Sequence, residues 1–210
     1  MSTYTVTVTD GTTGCSQSAE GIVRVAPLPA CSITGPAGPL CPGSSGNVYK
    51  GPDGMASWAW SITGHGSIVG SSTDQTVSVT ASTDCNVSFT LTLTIVNDQG
   101  CVNTCADTVL VNDTINPIVE VPAKATSTCA AFKPVPIASP ATLTAAAFTA
   151  LGRGYTVSDN CGTEPVSVSY YDTLSSGVLC STVATFTRHF TATDACGNTS
   201  TVTQTITVSP

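Results

Sequence analysis

Apolar residues alternate with hydroxyl-bearing residues along much of the chain. Tyr and Val alternate with Thr at 3–9, Phe, Leu and Ile alternate with Ser and Thr at 88–95, and Val and Ile alternate with Thr at 201–208. A period of two is typical of a β-strand that buries one face, and the branched Cβ of Thr favours extended backbone on the other. The pattern predicts further strands at 56–63, 76–80, 106–111, 166–171 and 182–193.

A longer repeat lies above this alternation. Three strands run into a polar turn that contains Gly and a Cys, at 10–15, 97–101 and 194–198. The three turn cysteines are 86 and 95 residues apart. This spacing matches a seven-stranded immunoglobulin-like sandwich of about 100 residues, in which such a hairpin joins the last two strands.

The repeat predicts an all-β chain of tandem immunoglobulin-like β-sandwiches. Prolines 27, 29 and 117 favour short, stiff linkers at the joints. The predicted units are a partial sandwich at 1–29 that contains only the terminal hairpin, a complete sandwich at 30–112 and a complete sandwich at 113–210.

At most one short helix is predicted, at 141–151, as an insertion in the third unit. Ser139 would cap it, Pro140 would occupy its first position and Gly152 would follow its end.

The composition narrows the classes of partner. The chain has 13 acidic and 6 basic residues, a net charge of −7, and six scattered cations cannot build the basic face that a nucleic acid requires. Only 9% of residues are charged, so the 36 Thr and 24 Ser provide most of the surface polarity. No apolar run approaches the roughly 18 residues of a membrane span, so none is predicted.

Ten cysteines are spread through the chain. Zinc sites use closely spaced cysteines and histidines, whereas here the closest pair is Cys101 and Cys105 and neither histidine lies beside a cysteine. A disulfide framework formed in an oxidising compartment is the better interpretation. Since Met1 leads straight into a strand with no signal peptide, we expect a fragment of a longer exported protein.

Several motifs resemble modules of large bacterial surface proteins. The CSITGP segment at 31–36, CPGS at 41–44 and WAWSI at 58–62, with the strand at 89–93 and Gly100-Cys101, resemble PKD-like modules. YTVSDNCG at 155–162 and FTATDACGN at 190–198 resemble the HYR module, and TYTVTVTD at 3–10 with Gly14-Cys15 is similar to the closing hairpin of gliding-adhesin repeats.

The resemblance implies tandem sandwiches that act as a stalk, spacer or adhesive surface. Such modules occur in very long proteins exported to the cell surface by Bacteroidota-type bacteria, and they have no family catalytic residues. Two features depart from the pattern, since the first unit is truncated and the insertion at 122–154 is long for an HYR module.

Sandwich topology and the resemblance together predict how the cysteines pair. Strand order places Cys41 and Cys85 at one end of the second unit, where we expect them to pair. Cys31 lies at the other end, where it should pair with Cys101 or Cys105. The HYR pattern implies a Cys161–Cys196 bond, which leaves Cys129 with Cys180. Cys15 either has lost its partner with the missing strands or bonds outside its own unit.

The residue types allow two kinds of site to be considered, a hydrolase active site and a calcium site. His65 and His189 are the only histidines, and no G-x-S-x-G motif accompanies them, so we expect no enzyme. Asp98, Asp159 and Asp194 lie in predicted turns where calcium could bind, but Asp is also a common turn former and no EF-hand loop is present. No cofactor is therefore expected, with calcium as the alternative.

Aromatic and Thr residues suggest two surface roles. Trp58 and Trp60 share a strand face, where one is expected in the core and the other could stack on a sugar. Thr108, Thr114 and Thr173 lie in Asp-Thr-aliphatic sequences that resemble O-glycosylation sites of the same bacterial group.

The sequence thus predicts a non-enzymatic segment of an extracellular surface fibre or adhesin. Its expected partners are neighbouring modules of the same protein or identical subunits. The hairpin at 1–29 either completes a neighbouring chain by strand addition, which would build a filament, or is the edge of a fragment. The alternative is a carbohydrate-binding accessory module, with surface glycans as its partners.

Overall fold

A computed structural model describes residues 2–162 and 165–210. The described residues form fifteen strands and one short helix, in sheets that enclose separate apolar cores. The predicted fold class, tandem disulfide-linked β-sandwiches, is confirmed. We call residues 30–112 the central region and residues 113–210 the C-terminal region.

The chain begins with an isolated hairpin, the N-terminal hairpin. Strands β1 (Ser2–Thr9) and β2 (Ser16–Val23) pair antiparallel along their full length. Because directly opposed residues share a face, Val6 lies opposite Ala19 on an apolar face, whereas Thr7 lies opposite Ser18 on a hydroxyl face. The two hydroxyl oxygens of Thr7 and Ser18 are 2.8 Å apart, within hydrogen-bond distance.

The central region is a sandwich of two three-stranded sheets. One sheet has the order β3-β6-β5 and the other the order β4-β7-β8. The strands are β3 (Asn47–Lys50), β4 (Ser57–Gly64), β5 (Gly66–Val69), β6 (Thr76–Ala81), β7 (Val87–Val96) and β8 (Val102–Val111).

One core fills the space between these sheets. The alternation in β7 buries Phe89, Leu91, Leu93 and Ile95 and leaves the intervening Ser and Thr partly exposed, as predicted. Val77 and Val79 of β6 meet them from the opposite sheet. Burial of one face of each sheet stabilises the sandwich through the hydrophobic effect.

The C-terminal region is built on a five-stranded sheet of order β10-β15-β14-β13-β11, with a separate β12-β9 pair. The order follows from two long hairpin pairings, a short antiparallel pairing of β11 with β13, and one parallel contact between β10 and β15. Its elements are β9 (Ile118–Glu120), β10 (Lys124–Thr128), β11 (Ala141–Thr144), α1 (Ala145–Thr149), β12 (Thr156–Ser158), β13 (Ser167–Ser176), β14 (Ala184–Thr193) and β15 (Thr199–Ser209).

Polar residues divide the core of this region into two parts. Phe186 belongs to one apolar cluster and Phe190 to another, and Arg188 lies between them on the same strand face. Arg188 is directly opposite Gln204 of β15, whose side-chain amide donates to the carbonyl of Pro122 and accepts from the Tyr155 hydroxyl. The buried polar groups therefore have partners, as burial requires.

The predicted helix is shorter and starts later than expected. Residues 141–144 form strand β11, which pairs with β13, and the helix occupies only Ala145–Thr149. Thr144, not Ser139, is the cap, and its hydroxyl accepts a hydrogen bond from the Ala147 amide. The placement of the cap at Ser139 and of Pro140 in the first turn was wrong, because pairing with β13 outweighs the local helix signal.

Candidate functional site

Three hairpin turns have the same construction, as the sequence repeat indicated. In each turn, the side-chain oxygen of the first residue accepts backbone amides: Asp10 accepts from Thr12 and Thr13, Asn97 from Gln99 and Cys101, and Asp194 from Asn198. A Gly with positive φ closes each turn, at 14, 100 and 197. Asp10 and Asp194 therefore act as turn formers here.

Two disulfides lie within single regions. Cys31 bonds to Cys105, one of the two partners left open by the sequence, and Cys129 bonds to Cys180 as expected. The first bond joins residues 74 positions apart and packs against the central core. Cross-links of this kind stabilise mainly by limiting the unfolded chain.

The other two disulfides cross the junction between the regions, which corrects two predicted pairs. Cys41 bonds to Cys161 and Cys85 bonds to Cys196, so the predicted Cys41–Cys85 and Cys161–Cys196 pairs are wrong. The four cysteines were grouped correctly by the end of the sandwich where they lie. These two ends face each other, so each cysteine finds its partner in the opposite region.

An acidic cluster lies beside these two bonds. Asp113, in the linker after β8, is 4% exposed, and its Oδ1 accepts hydrogen bonds from the Ile115 amide and the Asn160 side chain. Asp159 accepts a hydrogen bond from the Cys161 amide through Oδ2. One oxygen of Asp113, one oxygen of Asp159 and the Sγ of Cys161 lie within 4.8 Å of one another.

Two carboxylate oxygens in this cluster are buried without a partner. Asp113 Oδ2 and Asp159 Oδ1 have no hydrogen-bond donor among the described residues. Burial raises the pKa of Asp159 above its usual 3.8, and the nearby carboxyl groups of Asp113 and Asp194 raise it further. The cluster thus concentrates negative charge at the junction.

The three calcium candidates from the sequence have different surroundings. Asp98 is exposed in the turn between β7 and β8. Asp194 is buried, but both of its carboxylate oxygens accept hydrogen bonds from Asn198. Asp159 shares a group of possible ligand atoms with Asp113, which sequence reasoning missed. The place of Asp113 in the linker between two predicted units was the available signal.

The N-terminal hairpin leaves its apolar face uncovered. Tyr4, Val6, Val8 and Val23 are exposed on this face, whereas the exposed Ile22 lies opposite Thr3 on the hydroxyl face. Cys15 at the turn is exposed and has no disulfide partner among the residues that the structure describes. The linker after the hairpin contacts the central region, where Asn103 donates to the Pro29 carbonyl and the Sγ of the unpaired Cys101 lies 4.0 Å from the Ala26 carbonyl oxygen.

Both tryptophans belong to the central core. Trp60 is buried and Trp58 is partly buried against the same cluster. Their indole groups donate to the backbone carbonyls of Asp74 and Pro52. Neither ring offers the exposed platform that a carbohydrate-binding module requires.

The three candidate glycosylation sites differ in access. Thr114 is exposed in the linker and Thr108 is exposed on β8, where its hydroxyl lies 3.0 Å from that of Thr90. Thr173 is partly buried, and its hydroxyl contacts the His189 imidazole at 3.1 Å. Thr114 is therefore the most open acceptor of the three.

The two histidines lie in unrelated contacts. His65 Nδ1 is 3.3 Å from Asp84 Oδ2, and the Ser82 hydroxyl donates to the same oxygen at 2.7 Å. The Ser82 hydrogen bond lowers the pKa of Asp84, and the His65 contact adds to this effect. Since Ser82 donates to the carboxylate and not to the imidazole, the arrangement differs from a hydrolase triad.

A buried ion pair lies in the C-terminal region. Arg188 donates to both carboxylate oxygens of Asp172, at 2.7 and 2.9 Å, and its guanidinium lies over the Tyr170 ring. Burial alone would lower the pKa of Arg188, but the Asp172 hydrogen bonds and charge raise it above its usual value. This bidentate geometry compensates for the loss of hydration.

No helix in the described residues has both the length and the apolar character that crossing a membrane would require.

Comparison with known proteins gives only distant structural matches. No protein-family model matches the chain and no curated protein does, so the resemblance to PKD-like and HYR modules stays a prediction. The chain is similar to protocadherin gammaB7 EC3-6 at 14% identity and a TM-score of 0.29, covering 98% of this chain and 57% of that one.

Two fragments of protocadherin gamma B2 give similar values. Extracellular cadherin domains 1–5 match at 11% identity and a TM-score of 0.31, over 99% of this chain and 46% of that one. Domains 3–6 match at 13% identity and a TM-score of 0.30, over 98% and 56%. The chain spans about half the length of these solved chains, and likeness at this level transfers no property to it.

Proposed function

We propose that the chain is a non-enzymatic structural or adhesive segment of an extracellular surface fibre or adhesin. Its sandwich units at 30–112 and 113–210 would serve as a stiff spacer, with the partial unit at 1–29 as a point of attachment. The observation that supports this most directly is the pair of disulfides across the junction, Cys41–Cys161 and Cys85–Cys196.

Two cross-links at one junction oppose bending in a way that a single linker does not. The linker at 112–117 alone would let the two regions rotate about it, because short loops leave some freedom. Two additional covalent bonds beside it remove this rotation. Such a junction suits a spacer that must keep a fixed length and direction. An enzyme or a soluble signalling domain has no evident need for it.

The disulfides also favour an extracellular location. Disulfides persist in oxidising compartments and are rare in reducing ones. The resemblance to bacterial surface modules agrees with an exported protein of bacterial origin. The low charge and the many exposed Thr and Ser side chains fit a surface that stays hydrated without strong charge attraction to other molecules.

The stiffness of the junction can be tested against a matched control. Both junction disulfides are removed in a variant with Cys41→Ser, Cys161→Ser, Cys85→Ser and Cys196→Ser, and the control removes the bond within the C-terminal region by Cys129→Ser and Cys180→Ser. Small-angle X-ray scattering should show a broader distribution of maximum dimensions for the first variant only. Equal flexibility of both variants and the native chain would contradict the proposal.

The finer form of this proposal is assembly by strand addition. The N-terminal hairpin exposes Tyr4, Val6 and Val8 on one face, and an isolated two-stranded hairpin is at best marginally stable in water. A second copy of the chain is the proposed partner that covers this face. Repeated head-to-tail addition that does not close would produce a filament.

Substitutions on the two faces of the hairpin distinguish assembly through this hairpin from the alternative that the hairpin is only the edge of a fragment. Val6→Lys places a charge on the apolar face, and Thr5→Lys places the same charge on the hydroxyl face. Negative-stain microscopy of unreduced protein should show filaments for the native chain and Thr5→Lys, and none for Val6→Lys or after deletion of residues 1–29. Isolated rods in every sample would mean that the hairpin does not bind another copy.

A further inference from the structure

The linker residue Asp113 has an unsatisfied buried oxygen that faces the junction. Asp113 is buried, with only 4% of its surface exposed. Its Oδ1 accepts two hydrogen bonds. Its Oδ2 has no donor among the described residues. An unpaired buried carboxylate oxygen is costly, so a positively charged partner would stabilise it.

A second carboxylate from the C-terminal region meets it. Asp159 also has a buried oxygen without a described donor, and the two residues place ligand atoms within 4.8 Å of each other. The charge of Asp194 adds to the same potential. One carboxylate from the linker and one from the loop after β12 thus converge on one space, and each has a buried oxygen without a donor among the described residues.

We propose that Asp113 and Asp159 bind a divalent cation, Ca²⁺, at the junction of the two regions. The donor set consists of carboxylate oxygens, which hard cations prefer. The neighbouring Sγ of Cys161 is bonded to Cys41, so no thiolate is present to select a soft metal such as zinc.

The shape of the site favours Ca²⁺ over Mg²⁺. Both ligands lie outside regular strands, one in the linker after β8 and the other in the loop after β12. Ca²⁺ accepts irregular sets of six to eight oxygens, including backbone carbonyls and water, whereas Mg²⁺ demands near-octahedral geometry. The bound ion would connect the linker to the C-terminal region as a third link, beside the two disulfides.

Calorimetric titration of the intact, unreduced chain with CaCl₂ tests the site directly. Asp113→Asn and Asp159→Asn keep the side-chain shape and remove one negative charge each, and Asp98→Asn is the matched control in an exposed turn. We expect binding to the native chain and to Asp98→Asn, and binding weaker by roughly 10- to 100-fold in the other two variants. MgCl₂ should bind more weakly than CaCl₂.

Thermal unfolding of the native chain keeps the test decisive if a variant fails to fold. Ca²⁺ should raise the midpoint of the native chain relative to EDTA, since a ligand that binds only the folded state stabilises it. No heat of binding together with no shift of the midpoint would overturn the proposal. Equal binding by all three variants would overturn it as well. Neither outcome depends on whether the chain forms a fibre.

Discussion

The N-terminal hairpin and the β7–β8 hairpin have the same local construction and opposite surroundings. Both alternate apolar and polar residues, and both have a turn held by one Asx side chain, Asp10 or Asn97. Leu91 is fully buried, whereas Val6 is 64% exposed. The alternation therefore specifies a strand and its apolar face, but burial requires a facing layer, which β7 and β8 have and the N-terminal hairpin lacks among the described residues.

The β14–β15 hairpin shows a third case, in which the covered face also contains a charged residue. Its turn around Asp194 resembles the other two, and its inward face is covered. That face includes Arg188, whose charge is matched by Asp172 inside the region. Coverage by a facing layer thus lets a hairpin bury even a charged residue, provided that a partner is built in.

The largest effect is expected from breaking this buried pair. Arg188→Met should destabilise the C-terminal region by about 3–5 kcal/mol, because Asp172 would stay buried without its partner. Lys50→Met, in the exposed Lys50–Asp53 pair, should have a much smaller effect, since water screens an exposed ion pair. Urea unfolding measures both. A cost for Arg188→Met no larger than that of the control would mean that water reaches Asp172.

Truncation of matched strand residues should separate the covered and uncovered hairpins. Leu91→Ala should cost about 2–5 kcal/mol, since it leaves a cavity in the central core. Val6→Ala, in an exposed position, should stay within about 0.5 kcal/mol. Denaturant unfolding followed by tryptophan fluorescence reports on the core that contains Trp60. A large cost for Val6→Ala would show that the hairpin is covered in solution.

Substitution of either turn glycine by Ala should introduce the same local backbone strain, but only one of the two substitutions should lower the stability of the central region. Gly14 and Gly100 have φ of 72° and 77°, where Ala is strained by roughly 1–2 kcal/mol, and no atom crowds either position. Gly100→Ala should lower the stability of the central region by about this amount. Gly14→Ala should alter only the amide signals of the N-terminal hairpin, as NMR can show. If Gly14→Ala lowered the stability of the central region, the N-terminal hairpin and the central region would be energetically coupled.

The smallest effect is the acid titration of the first turn. The Thr13 and Thr12 amides lower the pKa of Asp10 below its usual 3.8. Because the folded pKa is the lower one, the turn stabilisation is complete above the unfolded value and is lost as the pH falls through the folded value. NMR should show the Thr12 and Thr13 amide signals shifting in that acidic range. Asp10→Asn should abolish the shift but keep the turn, as Asn97 does in its own hairpin.

The long strands and hairpin turns could be predicted from the sequence, whereas one short strand and one residue of the candidate site could not. The alternation at 88–95 gave the buried face of β7, and the repeated turns gave all three hairpins. The strand at 141–144 was missed, because its pairing with β13 is a long-range contact that local helix signals do not reveal. Asp113 was missed as a possible ligand, since its place in the linker indicates a junction but not that Asp159 lies close to it.

The cysteines show the same limit. Their positions in turns at sandwich ends follow from the sequence, and two of the four bonds agree with what those positions allow. The two junction bonds depend on how one region is seated on the other, and alternation within a strand contains no information on that seating.

The sequence by itself determined most of the long strands, which face of each is apolar, where the hairpin turns lie and that most of the cysteines form disulfides. These properties depend on side-chain period, backbone preference and composition, all of which act over a few neighbouring residues. The tertiary structure alone decided which hairpin is covered, which cysteines meet and which carboxylates converge at the junction. Those outcomes depend on contacts between residues far apart in the chain, which form only when separate sheets pack against each other.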